Sequence, residues 1–204
     1  LRVLRVARFA SRYNFEIDDK TSKAIQKNSD LSEISKERIV EEFLKAFKKN
    51  TSFKPFLDII TKLGIWDQIF GDFKINTNVV ETNDIILYLS NLLKDNDSEQ
   101  LEDLTKVFKW SSDIKDSIKF LISLKDFDPE LVSKYFKEKK RIRIDNETIL
   151  NFLDLSDIQN KEMILKFLEY IPSVKAVELI KLGFKGEKLG AEIKRLEIEK
   201  FKEL

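Results

Sequence analysis

Cysteine and histidine are both absent from the 204 residues. Without thiols there is no disulfide, no thiolate nucleophile and no cysteine metal site. Without imidazole there is no histidine base, no serine triad and no histidine-ligated zinc. Five glycines and three prolines leave no room for a glycine-rich loop around a phosphate. No apolar run approaches the roughly 18 residues of a membrane span, and neither charge sign dominates, with 37 basic against 36 acidic residues. Only the distribution of charge can therefore point to partners. The single methionine is Met163, and residue 1 already lies within a helical pattern. The sequence thus reads as part of a longer, cytoplasmic protein, with no targeting segment in view.

What is present is helical periodicity, nearly end to end. Ile39, Val40, Phe43, Leu44 and Phe47 fall on one stripe, as do Ile85, Ile86, Leu89, Leu92 and Leu93. Leu150, Phe152 and Leu153 form another, and Ile164, Phe167 and Leu168 a fourth. Asp128-Pro129-Glu130 reads as a helix start: a cap oxygen, a proline at the first turn and an acid on the positive dipole end. Asn78 and Glu81 have capping-box spacing. Breaks are expected at Asn50-Thr51, Gly64, 71–77, 94–98, Ser111-Ser112, Asn160, Pro172 and 183–186. Strand alternation with hairpin turns is missing; 15–17 and 141–144 are the only extended stretches, too short to seed a sheet. The expected fold is all-α with about nine to twelve helices, and 71–78 is the best domain boundary.

The first helix carries a row of arginines. Arg2, Arg5, Arg8 and Arg12 recur every three or four residues, within about 120° of one face at ~100° per residue. No acid precedes Glu16, so nothing local neutralises them. Such a row is either a solvated or salt-bridged face, or a set of planar donor forks suited to phosphate and base edges. Ser35-Lys36-Glu37-Arg38 reads as a helix start, with Arg38 placed to pair with Glu42 at i+4. A second basic cluster comprises Lys134, Lys137, Lys139, Lys140, Arg141 and Arg143, interleaved with Tyr135 and Phe136. It is a solvated helix end or a phosphate track. Near the C-terminus, Gly183, Gly186 and Gly190 stand among Lys185 and Lys188. This is either a plain turn or a helix start open to close backbone approach and to phosphate. Trp66, Trp110 and the sixteen phenylalanines are expected in the core. The acids Asp95, Asp97, Glu99, Glu102 and Asp103 lack a calcium-loop pattern and read as solvated surface.

The stretch LRVLRVARFASRYNFEIDDKT at residues 1–21 resembles the fourth conserved motif of class II tRNA nucleotidyltransferases and bacterial poly(A) polymerases. In that family a helix reads E-D-x-x-R-x-x-R-x-x-R-F-A, and the match begins just after the E-D pair. Residues 32–47 (SEISKERIVEEFLKAF), 52–70 (SFKPFLDIITKLGIWDQIF) and 182–197 (LGFKGEKLGAEIKRLE) are similar to its following helices and its tail motif L-G-x-x-x-G-x-x-(L/I)-G. The resemblance is specific over about 1–70, moderate over 174–204 and architectural between them.

The resemblance implies a chain without the catalytic head: a neck at 1–73, a helical body at 74–172 and a tail at 173–204. It makes Arg2 the base-reading arginine, which works with an Asp that this sequence lacks, and makes Arg5 and Arg8 further nucleotide-binding arginines. The implied activity of the parent is addition or repair of the 3′-CCA end of tRNA with CTP and ATP, using Mg²⁺ held by the head. The head and tRNA are the implied partners, and no catalytic or metal residue is assigned to this chain, which alone is expected to be inactive. The candidate RNA contacts are Lys137, Lys139, Lys140, Arg141, Arg143, Lys185, Gly186 and Lys188. The alternatives are a piece of a poly(A) polymerase, or a non-catalytic RNA-binding or scaffold protein of the same descent.

Overall fold

The computed structural model describes residues 1–49, 52–71, 73–76, 78–107 and 110–204. Among them are thirteen α-helices and no strand, so the all-α expectation holds and the count exceeds it slightly. None of these helices is long and apolar enough to cross a membrane. The expected break at Asn50-Thr51 lies outside the described residues, as do Asp72 and Thr77 of the 71–78 boundary.

By contact the chain separates into two compact units, residues 1–119 and 120–204. In the first, α1 (Arg2–Tyr13), α2 (Asp19–Lys27), α3 (Lys36–Lys49), α4 (Lys54–Lys62) and α5 (Trp66–Phe70) are followed by α6 (Ile85–Leu92) and α7 (Ser98–Val107). The helix α8 (Ser112–Ser123) starts in this unit and ends in the next. Helix α1 packs on α3 and α4, and its buried residues include Leu4 and the small Ala7 and Ala10, which let the axes approach; Ile39, Val40 and Phe43 of α3 and Phe56 and Ile60 of α4 are buried as well. Edge-to-face rings knit this core: Phe43 lies 5.1 Å from Phe56 and 5.4 Å from Phe70, and Phe53 lies 5.2 Å from Tyr88.

The caps explain where the helices begin. Asp18 accepts from the Thr21 amide at 3.0 Å, and Asp84 from those of Ile86 and Leu87 at 2.8 and 3.2 Å. The capping box expected from Asn78 and Glu81 is not formed. Helix α6 starts later, behind Asp84, and the Glu81 carboxylate instead accepts from the Ser52 hydroxyl and the Phe53 and Lys54 amides at 2.8–3.2 Å. It caps α4 from a distant segment, supplying acceptors that the apolar N-cap Phe53 lacks. A reciprocal box does occur at Asp97 and Gln100, each side chain accepting the other's amide at 2.8–3.0 Å.

The second unit holds α9 (Val132–Ile142), α10 (Asn146–Leu155), α11 (Lys161–Glu169), α12 (Ala176–Lys181) and α13 (Gly186–Lys202). As expected, Asp128 caps and Pro129 opens the first turn, which is a 3₁₀ turn leading into α9. The buried face of α10 is Ile149, Phe152 and Leu153, while Leu150 is 39% exposed; Ile149 takes the place expected for Leu150. Helix α13 packs along α9 and α12. Phe127 stacks on Tyr135 at 4.6 Å and meets Phe167 at 5.4 Å, and Phe201 closes the cluster against Tyr170 at 5.5 Å. The buried Glu197 ties α13 to the non-helical 170–175 segment: Tyr170 donates its hydroxyl to the carboxylate, and the Val174 amide donates at 2.7 Å.

Candidate nucleotide and RNA interface

The four arginines of α1 do not share one environment, and helix geometry says why. At ~100° per residue, Arg8 falls about 40° from the fully buried Leu4, whereas Arg2 falls about 160° from it. Arg8 is accordingly buried, its side chain 9% exposed, and its Nε donates to Oε2 of Glu42 at 2.9 Å. Arg5 sits between, half exposed, with Nε 3.4 Å from the other carboxylate oxygen. Lys45 approaches the same carboxylate at 3.6 Å. Burial alone would raise the Glu42 pKa, but the Arg8 hydrogen bond and charge, with Arg5 and Lys45, outweigh it and hold the carboxyl below the ordinary glutamate range. Glu42 is 2% exposed and is the element that sequence reasoning missed. Its spacing to Arg38 suggested an i+4 pair, whereas its partners are Arg8, Arg5 and Lys45.

Arg2 is exposed and lines an open groove with Leu1, Val3, Arg5, Asn28, Asp30, Ile34 and Arg38. Three arginines thus line the groove together with one carboxylate residue, Asp30, and the carboxamide residue Asn28. Donors of this kind suit phosphate oxygens and the carbonyl and ring-nitrogen acceptors of a base, while Asp30 and Asn28 can accept from an exocyclic amine. Arg38 therefore stands at the groove rather than pairing within α3. Ser35 precedes α3, and its carbonyl accepts from the Arg38 and Ile39 amides at 3.1 and 3.3 Å.

The basic cluster of α9 is split by the same periodicity. Lys134, Lys137, Lys140 and Arg141 are exposed, whereas Lys139 is half-buried and its charge helps hold Asp145 below the ordinary aspartate range, behind the larger effect of the Thr148 hydrogen bonds. Arg143 ends the helix in the left-handed region at φ 57°. Of the interleaved aromatics Tyr135 is buried, and Phe136 is half-buried, 4.7 Å from Phe167.

In the tail, Lys185, Gly186 and Lys188 are exposed at the start of α13. Gly186, at φ 53°, has a backbone conformation that disfavours a side chain, which accounts for the glycine. The close backbone approach expected of these glycines does not occur within the chain, because a Cβ at 183, 186 or 190 would meet nothing within 4 Å. Trp66 is half-buried, stacked on Phe70 at 3.9 Å, and Trp110 is half-buried. Most described phenylalanines are core as expected, but Phe9 and Phe15 are 43% and 66% exposed. The expected acidic surface at 95–103 is exposed, with Glu102 paired to Lys119. No group of three or more carboxylates that could hold a metal ion occurs among the described residues.

Residues 14–75 match a family described as the probable RNA and SrmB-binding site of polymerase A. The chain is 38% identical over 93 residues to the tRNA nucleotidyltransferase cca1 of Schizosaccharomyces pombe, a match spanning 42% of the chain and 18% of that protein. It is 26% identical to the A-adding tRNA nucleotidyltransferase of Aquifex aeolicus over 98% of the chain and 28% of the relative. A CCA-adding enzyme of Lactobacillus helveticus is 27% identical, over 78% of the chain and 41% of its own length. Among solved structures, a CCA-adding enzyme complex with CTP superposes with a TM-score of 0.57 at 15% identity, covering 98% of the chain and 55% of that one. The Thermotoga maritima CCA-adding enzyme complexed with tRNA gives 0.54 at 18% identity, over 98% and 56%. These two likenesses show a shared fold. The chain spans less than half the length of the curated relatives and somewhat more than half of the structural neighbours.

Proposed function

From its similarity to tRNA nucleotidyltransferases and a CCA-adding enzyme and the match of residues 14–75 to an RNA-binding family, we propose that the chain belongs to the class II tRNA nucleotidyltransferase family and is the nucleotide-reading and tRNA-binding part of an enzyme that adds or repairs the 3′-CCA end from CTP and ATP. The observation that carries this reading is the groove in which Arg2, Arg5 and Arg38 converge beside Asn28 and Asp30, on a helix whose rotation is locked by the buried Arg8–Glu42 pair. In this reading Arg2 donates to the base, Arg5 divides its donors between Glu42 and the nucleotide, and Arg8 positions the helix rather than reaching the ligand. Residues 1–73 form the neck, 74–172 the body and 173–204 the tail. Lys137, Lys140, Arg141 and Arg143, with Lys185, Gly186 and Lys188, meet tRNA phosphates.

Phosphoryl transfer needs a carboxylate-held metal beside the attacking hydroxyl. In this reading the Mg²⁺ ions are held by a catalytic head of the parent enzyme, and the part played by these 204 residues is binding of nucleotide and tRNA. A second reading, the same role in a poly(A) polymerase, draws on the polymerase A description of the matched 14–75 segment.

The test is to incubate the purified chain with tRNA lacking its terminal A, labelled ATP and Mg²⁺. Retention of tRNA without AMP incorporation is the expected outcome. Steady metal-dependent extension by one nucleotide would place an active site in these helices and overturn the division of labour.

A further inference from the structure

Helix α1 ends in a feature that nucleotide reading does not use. Phe9, Tyr13 and Phe15 are 43%, 50% and 66% exposed and form one ladder. The Phe9 and Tyr13 rings lie 6.2 Å apart within 6° of parallel, and Tyr13 and Phe15 lie 5.6 Å apart at 29°. The ladder is built, not incidental. Asn14 takes the left-handed conformation at φ 53°, and the Phe15 amide donates back to Ala10 at 2.9 Å, which turns the chain so that Phe15 continues the stack beyond the helix end. Guanidinium groups flank the rings: Arg8 Cζ is 4.2 Å from the Phe9 centroid and Arg12 Cζ is 5.2 Å from that of Tyr13. Three large rings left together in water forgo burial that the core next to them offers, and such patches mark interaction surfaces.

Its chemistry points to one occupant. At ~100° per residue, Arg2, Phe9 and Tyr13 fall within about 40° of one line along α1, spanning roughly 16 Å, with Arg5 and Arg12 along one side. Parallel π-faces bordered by a row of cations fit unpaired bases on a phosphate backbone. An apolar protein segment would have no use for the cations. The ladder ends at a groove where Phe15 meets Glu16, Asp18 and Asp19, carboxylates that repel further phosphates and so limit the track to about three bases. The segment matched to RNA binding begins at residue 14, within the ladder.

We propose that the open face of α1 is a stacking track for the single-stranded 3′ end of the RNA substrate, with upstream bases on Phe15, Tyr13 and Phe9 and the terminal hydroxyl directed toward the nucleotide at Arg2. This rests on the RNA-binding reading given above and adds to it which rings hold the primer and in which direction it runs.

The test compares the 204-residue chain with two RNAs by fluorescence anisotropy: a hairpin carrying a four-nucleotide single-stranded 3′ tail, with 2-aminopurine in the tail, and the same hairpin with a blunt end. The tailed RNA should bind more tightly, and its 2-aminopurine should be quenched. Tyr13→Ala/Phe15→Ala and Tyr13→Leu/Phe15→Leu should each lower tailed-RNA affinity about tenfold or more, abolish the quench and leave blunt-RNA binding unchanged; circular dichroism confirms that these exposed substitutions preserve the helices. Binding of both RNAs without preference for the tail, unchanged in the variants, would overturn the track and leave the RNA-binding reading standing. Full rescue by leucine of what alanine loses would show an apolar docking face for protein and overturn it as well. Failure of the wild-type chain to bind either RNA would overturn both.

Discussion

Arg8 of α1 and Glu42 of α3, 34 residues apart, form a buried pair in which Nε donates to the carboxylate at 2.9 Å. Both charges have left water together, and each satisfies the other. The pair fixes the rotation of α1 about its axis, and this rotation decides which of its arginines reach the groove.

Removing one member strands the other. Glu42→Ala should destabilise the 1–119 unit by roughly 3–5 kcal/mol in chemical denaturation. A joint Arg8→Met/Glu42→Leu change should recover most of that loss, since apolar side chains suit the site. A double variant as unstable as Glu42→Ala would show that the pair adds more than mutual neutralisation.

The same pair predicts an acid limit. The folded-state pKa of Glu42 is depressed, so its contribution is fully present above the ordinary glutamate range and is lost as pH falls through the folded value. Stability measured between about pH 6 and 3 should fall more steeply for the wild type than for Arg8→Met/Glu42→Leu. Parallel curves would remove Glu42 from the account.

Arg2 has no carboxylate partner among the described residues, so its replacement should be silent for folding. In a full-length enzyme carrying this chain, Arg2→Ala should cost on the order of 1–3 kcal/mol in discrimination of C over U and of A over G, with an unchanged melting temperature. Retained selectivity would refute base reading by this residue.

On α9 the exposed and half-buried lysines should separate. Replacing Lys137, Lys140 and Arg141 together with Glu should weaken tRNA binding and flatten its salt dependence by up to about three in the logarithmic slope. Lys139→Glu should have a smaller effect on that slope and should loosen the turn before α10 through repulsion of Asp145. Equal slopes for the two variants would return the cluster to a solvated helix end.

Glu197 should matter to the second unit more than any exposed charge of α13. Its carboxylate accepts from the Tyr170 hydroxyl and the Val174 amide. Burial and this hydrogen-bonded carboxylate push the Tyr170 hydroxyl well above the ordinary tyrosine range. Glu197→Ala should cost about 1–3 kcal/mol by leaving both donors unmet, and spectrophotometric titration should show one fewer late-titrating tyrosine, with Tyr88 and Tyr135 still held up by burial. An unshifted titration curve would contradict the pairing.

Much of this protein follows from sequence alone. The apolar stripes at 39–47 and 85–93 and the acid-capped helix starts dictate helices, because period and cap chemistry are local properties. The i, i+3 and i+4 spacing placed Arg2, Arg5 and Arg8 on one broad face, and the residues around them carried the likeness to the family. What spacing could not supply was the direction of the core. The packing of α1 on α3 and α4, with Leu4 inward and Arg8 paired to Glu42, fixes the rotation of the helix, leaves Arg2 in the groove and holds Phe9 and Tyr13 in water. The Glu81 cap on α4 and the Glu197 anchor at Val174 are likewise tertiary, each joining residues more than twenty positions apart. A periodicity fixes angles between side chains on one helix, and burial is decided by which neighbour takes up one of those angles.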